Sequence, residues 1–247
     1  MSECIHGLDG QQCDVCFPQK LPEKPVAVRS AAPRKTAEVR PARVGTAVKS
    51  RRPVGEQRVY HVTHVRNLEG ILADGELRSD ATPEVPLYSE LGLELRATAE
   101  VSDGHTVSEY VSFALTPESS AWSEVRAGAH EPGWSQAARR AAPSDFVFLV
   151  STSGRLGDVV IADGNAAGSL TRFASDTDGV RRSLDRLTDY PELGAAAEVL
   201  VAGSVPLSSI QLIGVANEPA KERVRGILAG SGFAPRIAVY PPWFAQE

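Results

Sequence analysis

From residue 17 to residue 57 the chain holds six prolines, no recurring hydrophobic period and almost nothing large and apolar. Such a segment cannot bury enough surface to offset its conformational entropy. Residues 20–57 are therefore expected to form a disordered, extended linker. That leaves residues 58–247 to build a core, a length suited to one domain. Charge follows the same division. Residues 20–58 carry 11 Lys and Arg against 3 Asp and Glu, whereas residues 59–247 carry 15 against 25. A basic tether precedes an acidic body. The tether's charge fits simple solvation, and it equally fits attraction to nucleic-acid phosphates.

No apolar run approaches the ~20 residues needed to span a bilayer. The opening MSECIHGLDG lacks the basic start and apolar centre of a signal peptide. Neither membrane insertion nor export is expected, so the chain is read as cytoplasmic.

All three cysteines lie before residue 17, beside one of five histidines. Cys4, His6, Cys13 and Cys16 form C-x-H-x6-C-x2-C. Zinc takes four such ligands at tetrahedral corners, and a C-x2-C turn supplies two of them. In a reducing compartment metal binding is favoured over a disulfide. Residues 1–19 are thus expected to be a small zinc-binding element, folded by its metal. The plainer alternative is a tail with incidental thiols.

In the body, VYHVT alternates like a strand, and Leu68, Ile71 and Leu72 have helical spacing, with Gly75 placed as a stop. Further strands are expected at 109–115, 145–151, 159–162, 197–201, 210–216 and 236–240, and helices at 178–188 and 218–230. Strands and helices do not alternate regularly, which favours an α+β fold over a doubly wound sheet.

Three separated features could carry chemistry. His61 and Thr63, two apart on one strand, share a face. They could offer a ring and a hydroxyl to a nucleotide, although a satisfied core histidine fits the pattern too. Arg96 lies in the featureless stretch ELELRATAE. Glu198 interrupts the apolar strand AAAEVLV, where a carboxylate needs a task or a partner unless it simply faces outward.

Together these segments resemble the DarT family of DNA ADP-ribosyltransferases. YHVTHVRNLEGILADGEL is similar to the family's opening strand and helix. EYVSFAL stands where the family has a Tyr-Val-Pro-Phe-rich strand. VVIADGNAA and AAEVLVAGSVPLSSIQLIGV match the later motifs in order, across residues 59–215. The resemblance implies an ADP-ribosyltransferase fold with a split mixed β-sheet and NAD as co-substrate. It implies modification of a nucleobase, usually thymine, in single-stranded DNA. It also implies a toxin role, countered by a macrodomain antitoxin.

Matched residue by residue, His61 and Thr63 bind NAD, with backbone contact through Val62. Gly70 leaves the nucleotide room to approach the helix, and Arg78 is a further NAD contact. Arg96 takes the place of the essential arginine, and Glu198 that of the catalytic glutamate. On this reading Glu198 holds the ribose 2-hydroxyl as oxocarbenium charge grows. Arg96 clamps the pyrophosphate. The loop that receives the acceptor base falls within residues 157–198, which include Asp163-Gly164-Asn165, a sequence that also reads as a plain turn. Here the segment LTPESSAW departs from the family's Pro-Arg-Ser-Pro-Met-type run. An RNA or protein acceptor, or a catalytically silent nucleic-acid-binding adaptor, are the rival expectations.

Overall fold

The computed structural model describes residues 53–102 and 104–245. The zinc ligands expected at Cys4, His6, Cys13 and Cys16, and the linker as far as residue 52, lie outside the described residues.

In chain order the strands are β1 (Arg58–His64), β2 (Glu76–Arg78), β3 (Glu100–Ser102), β4 (His105–Thr106), β5 (Tyr110–Ala114), β6 (Phe146–Thr152), β7 (Val160–Ala162), β8 (Phe173–Ala174), β9 (Glu198–Ala202), β10 (Ser204–Pro206), β11 (Leu212–Val215) and β12 (Arg236–Val239). The helices are α1 (Leu68–Asp74), α2 (Glu90–Thr98), α3 (Ser120–Arg126), α4 (Gln136–Arg140), α5 (Thr177–Asp189) and α6 (Glu218–Leu228). Among the described residues an eight-stranded sheet runs β12-β11-β6-β1-β5-β9-β7-β8, with two further two-stranded sheets, β10-β2 and β3-β4. Only β11 and β12 are parallel, so the large sheet is mixed. The fold is α+β, as expected.

Alternation sorts β1 and β6 between two cores. Val59, Val147 and Leu149 pack in one, with Val180, Leu184 and Leu187 of α5 and Val224 of α6. Tyr60, Val62, Phe146, Phe148 and Val150 pack in the other, with Trp122 and Val125 of α3 and Ala138 of α4. Burial on both faces is why residues 145–151 read as a continuous apolar run. Gly75 ends α1 at φ 72°, a left-handed stop that suits glycine. Order starts ahead of the expected Val59. Val54–Glu56 form a 3-10 turn, and the Ser153 N–H donates to the Gln57 carbonyl at 2.9 Å.

The pairing of β1 is lopsided. It meets β6 at seven consecutive positions, but β5 only at Tyr60 and Ala114. Continuing that register would set Val62 opposite Ser112. Instead the His61 side chain takes the Ser112 carbonyl. The sheet therefore splays beyond Tyr60 into two halves, leaving a cleft beside the second half of β1. Among the described residues no helix is long and apolar enough to cross a membrane.

Candidate active site

The cleft holds a cavity of about 650 Å³. His61, Val62, Thr63, Gly70, Arg78 and Arg96, the six expected NAD contacts, all line it. A Cβ built on Gly70 would meet nothing within 4 Å. Protein packing therefore does not demand a glycine there. A separate cavity of about 540 Å³ opens by His64, Arg140 and Arg223 and contains none of the six.

His61 Nδ1 lies 2.9 Å from the Ser112 carbonyl, which can only accept. The ring therefore carries its proton on Nδ1 and keeps Nε2 as a bare acceptor. Burial pushes its pKa below the ordinary 6.5, against the opposing pull of that hydrogen bond. His64 is pushed down too, chiefly by burial. Both rings are therefore neutral in the native protein near pH 7, whereas an unfolded chain takes up their protons below about pH 6.5. Stability should then fall as pH drops from 6.5 toward the depressed native values. Thermal melts at pH 7 and pH 5.5 check this. His61→Gln should show a shallower fall than the wild type, and equal slopes would remove the claim.

Thr63 accepts from Asn67 Nδ2 at 3.0 Å, which leaves its own O–H free to donate. Asn67 also bridges to Val85, donating to its carbonyl at 2.9 Å and accepting its N–H at 3.1 Å. That buried amide pins the 81–88 loop over the start of α1. Arg78 is half exposed and engaged by Asp80, with contacts of 2.9 and 2.7 Å.

Glu198 opens β9 between Ala114 of β5 and Ala162 of β7. It faces a smaller adjoining cavity of about 130 Å³. Arg96, 102 residues earlier, meets it with both ends of the guanidinium, Nη1 to Oε1 at 3.2 Å and Nη2 to Oε2 at 2.9 Å. Both side chains are largely buried, at 7% and 13% exposure. Burial opposes charge on Arg96, but Tyr88 and Glu198 outweigh it and hold the pKa above the ordinary range. Arg96 lines the large cavity and is already engaged with Glu198, which lines the small one. A two-pronged grip on a pyrophosphate, the role expected from sequence, would require that pair to open.

Asp163 and Gly164 form a bend, and the turn expected there lies one step later, from Asn165 to Gly168, where the Gly168 N–H donates to the Asn165 carbonyl at 2.8 Å; this turn reaches the site. Asn165 Oδ1 accepts from the Ala167 N–H at 3.0 Å, while the Ala166 N–H donates to Glu198 Oε1 at 2.8 Å. Asp163 anchors the loop by accepting from the Arg172 N–H at 2.9 Å.

Tyr88 is not among the residues expected from sequence, and Asn67 and Ser112 enter there only as parts of the motifs YHVTHVRNLEGILADGEL and EYVSFAL. Ser112 Oγ accepts from Arg96 Nη2. The Tyr88 ring lies 4.4 Å from the guanidinium carbon. Burial first, and then the charge of Glu198, push the Tyr88 pKa up to about 12.

The family model for DarT, described as ssDNA thymidine ADP-ribosyltransferase, matches residues 60–245. The chain belongs to the DarT family. A DNA ADP-ribosyl transferase of Mycobacterium tuberculosis is 29% identical over 209 residues, covering 74% of this chain and 86% of that protein. DarT of Thermus sp. 2.9 in complex with ADP-ribosylated ssDNA superposes with a TM-score of 0.65 at 25% identity, covering 77% of this chain and 97% of that one. The same Thermus protein in complex with NAD+ gives 0.61 at 25% identity, covering 77% and 98%. The DarT match ends at residue 245 and starts at Tyr60, so the cysteine cluster and the basic tether lie outside it.

Proposed function

We infer that this chain transfers ADP-ribose from NAD to a nucleobase of single-stranded DNA, with thymine as the base. The observation that carries the reading is the meeting of Arg96 and Glu198 at the edge of the cavity that collects His61, Thr63 and Gly70. The chain is an NAD-dependent DNA ADP-ribosyltransferase of the DarT family.

The residues suit that chemistry. The bond between the ribose anomeric carbon and nicotinamide breaks, and its electron pair leaves with nicotinamide. Positive charge builds at the anomeric carbon until the base forms the new bond and releases its N–H proton to solvent. Glu198 accepts a hydrogen bond from the ribose 2-hydroxyl, an interaction that strengthens as that charge grows. Arg96 and the Ala166 N–H hold the carboxylate in place beforehand. His61 offers Nε2, and Thr63 its O–H, to the hydroxyl and amide groups of NAD. Val62 adds its backbone and Arg78 lies at the rim of the same cavity.

Purified protein with labelled NAD should mark a single-stranded oligodeoxynucleotide. Label on RNA or protein alone would move the acceptor, and no label on any of them would end the enzyme reading. Family membership also supports a toxin role opposed by a macrodomain antitoxin, and a macrodomain gene beside this one is the observation to seek.

We further propose three segments: a zinc-binding element at 1–19, a basic linker at 20–57 and the ADP-ribosyltransferase domain at 58–247. The ligand types of Cys4, His6, Cys13 and Cys16 support the first, and the excess of Lys and Arg supports phosphate attraction by the second. The purified chain should carry about one equivalent of zinc, lost in Cys13→Ser with NAD binding unchanged. Deleting residues 20–52, which spares the Val54–Gln57 turn held by Ser153, should flatten the salt dependence of DNA binding. A metal-free wild type, or equal salt slopes, would refute the corresponding part.

A further inference from the structure

We infer that Ser112 and Tyr88 are positioning residues for the transfer step: they clasp the Arg96 guanidinium so that both its ends face Glu198. The inference rests on the roles read above for Arg96 and Glu198.

Ser112 sits on β5, just beyond the point where pairing with β1 stops. It contributes to both sides of the splayed sheet. Its carbonyl accepts the His61 Nδ1–H at 2.9 Å, and its Oγ accepts from Arg96 Nη2. Ser112 and Tyr88 line the large cavity and the small one alike, so they form part of the wall where the two meet. The Arg96 guanidinium carbon lies over the Tyr88 ring, 4.4 Å from its centroid.

Arg96 is thereby held by a carboxylate, a hydroxyl and an aromatic face. An arginine side chain has many rotamers, and few of them aim a planar fork at one carboxylate. The clasp selects among them before substrate arrives, which is what preorganisation of a catalytic carboxylate requires. The protons also balance. A serine hydroxyl has one proton and two lone pairs. Arg96 donates to one lone pair, which leaves the Ser112 proton available to a further acceptor. Tyr88 stays protonated throughout the working range.

The test uses the full chain, with three readouts: turnover on a single-stranded oligodeoxynucleotide, the Kd for NAD, and the melting temperature. Ser112→Ala should lower kcat about 10- to 100-fold, the range spanned by one lost hydrogen bond to a charged group. The Kd for NAD should change less than about threefold, because the His61 contact uses the Ser112 backbone, which the substitution keeps. Ser112→Thr should restore most of the loss. Tyr88→Phe, which keeps the ring, should lose less than Tyr88→Leu. On a Glu198→Gln background Ser112→Ala should cost little more, since residues acting through one another are not additive. A merely structural role would not produce that coupling. Unchanged kcat in Ser112→Ala, losses that multiply on the Glu198→Gln background, or a rise in KM alone would overturn the clasp. If the wild type labels no DNA at all, the acceptor reading has failed instead, and nicotinamide release from NAD still reports on the clasp.

Discussion

Glu198→Gln should slow ADP-ribose transfer at least ~100-fold while leaving the Kd for NAD within a few fold. Glutamine matches the shape of glutamate but removes the charge and exchanges one accepting oxygen for an NH2. The missing charge matters most where the ribose is most positive, in the transition state. One preorganised electrostatic partner of this kind commonly accounts for ~3–4 kcal/mol. A modest loss of stability should accompany the rate effect. Glu198 accepts from Arg96 and from the Ala166 N–H, and a side-chain amide must turn its NH2 toward one of these donors. NAD binding separates the two effects, since a misfolded cleft would lose affinity as well. Near-normal transfer by Glu198→Gln to every acceptor tested would reduce Glu198 to a strut for Arg96, and the assignment of the catalytic carboxylate would fall.

Arg96→Ala should be the most destabilising single change in the site. It leaves a largely buried carboxylate with a single backbone N–H as partner. Breaking one side of a buried pair typically costs ~3–5 kcal/mol, because the remaining charge stays desolvated. Arg96→Lys should recover part of the stability. A lysine ammonium cannot reproduce the two contacts to Glu198, the contact to Ser112 and the stacking on Tyr88 together, so activity should stay low. The informative variant is the pair Arg96→Ala with Glu198→Ala. It should be more stable than Arg96→Ala alone, since neither charge is then left without the other. Its turnover should be no worse than that of Glu198→Ala, the mark of two residues that act as a unit. Multiplied losses, with NAD affinity falling as far as turnover, would return Arg96 to the pyrophosphate clamp expected from sequence.

Local patterns were legible where local physics decides the outcome. β1 and the strands at 145–151 and 197–201 follow from two-residue alternation or from continuous apolar runs. α5 follows from Val180, Leu184 and Leu187, one turn apart on a single face. α2 was hidden for the opposite reason. Its leucines 91, 93 and 95 recur at even spacing and remain 61%, 46% and 47% exposed, while its buried residue is the charged Arg96. No hydrophobic period can announce a helix whose buried position is an arginine. A usable signal did exist in its cap. Ser89 accepts from the Gly92 N–H, as Ser119 and Ser135 do at the starts of α3 and α4.

By itself the sequence determined the seven longer strands of the large sheet but not the short β2, β3, β4, β8 and β10, that a basic proline-rich tether precedes an acidic body, and that Glu198 breaks an apolar strand. Motif order carried the family resemblance, and with it the list of candidate residues. Only the tertiary structure decided what those residues touch. Arg96 and Glu198 lie 102 residues apart, on elements that no local periodicity links. The cleft exists because β1 and β5 pair at one position and then part. Ser112 and Tyr88 acquire their place only when that parting brings β5 and the loop before α2 to the same guanidinium. Alternation and helical spacing report on neighbours along the chain. A buried ion pair and a splayed sheet are set by the packing of distant segments, and no local pattern encodes that.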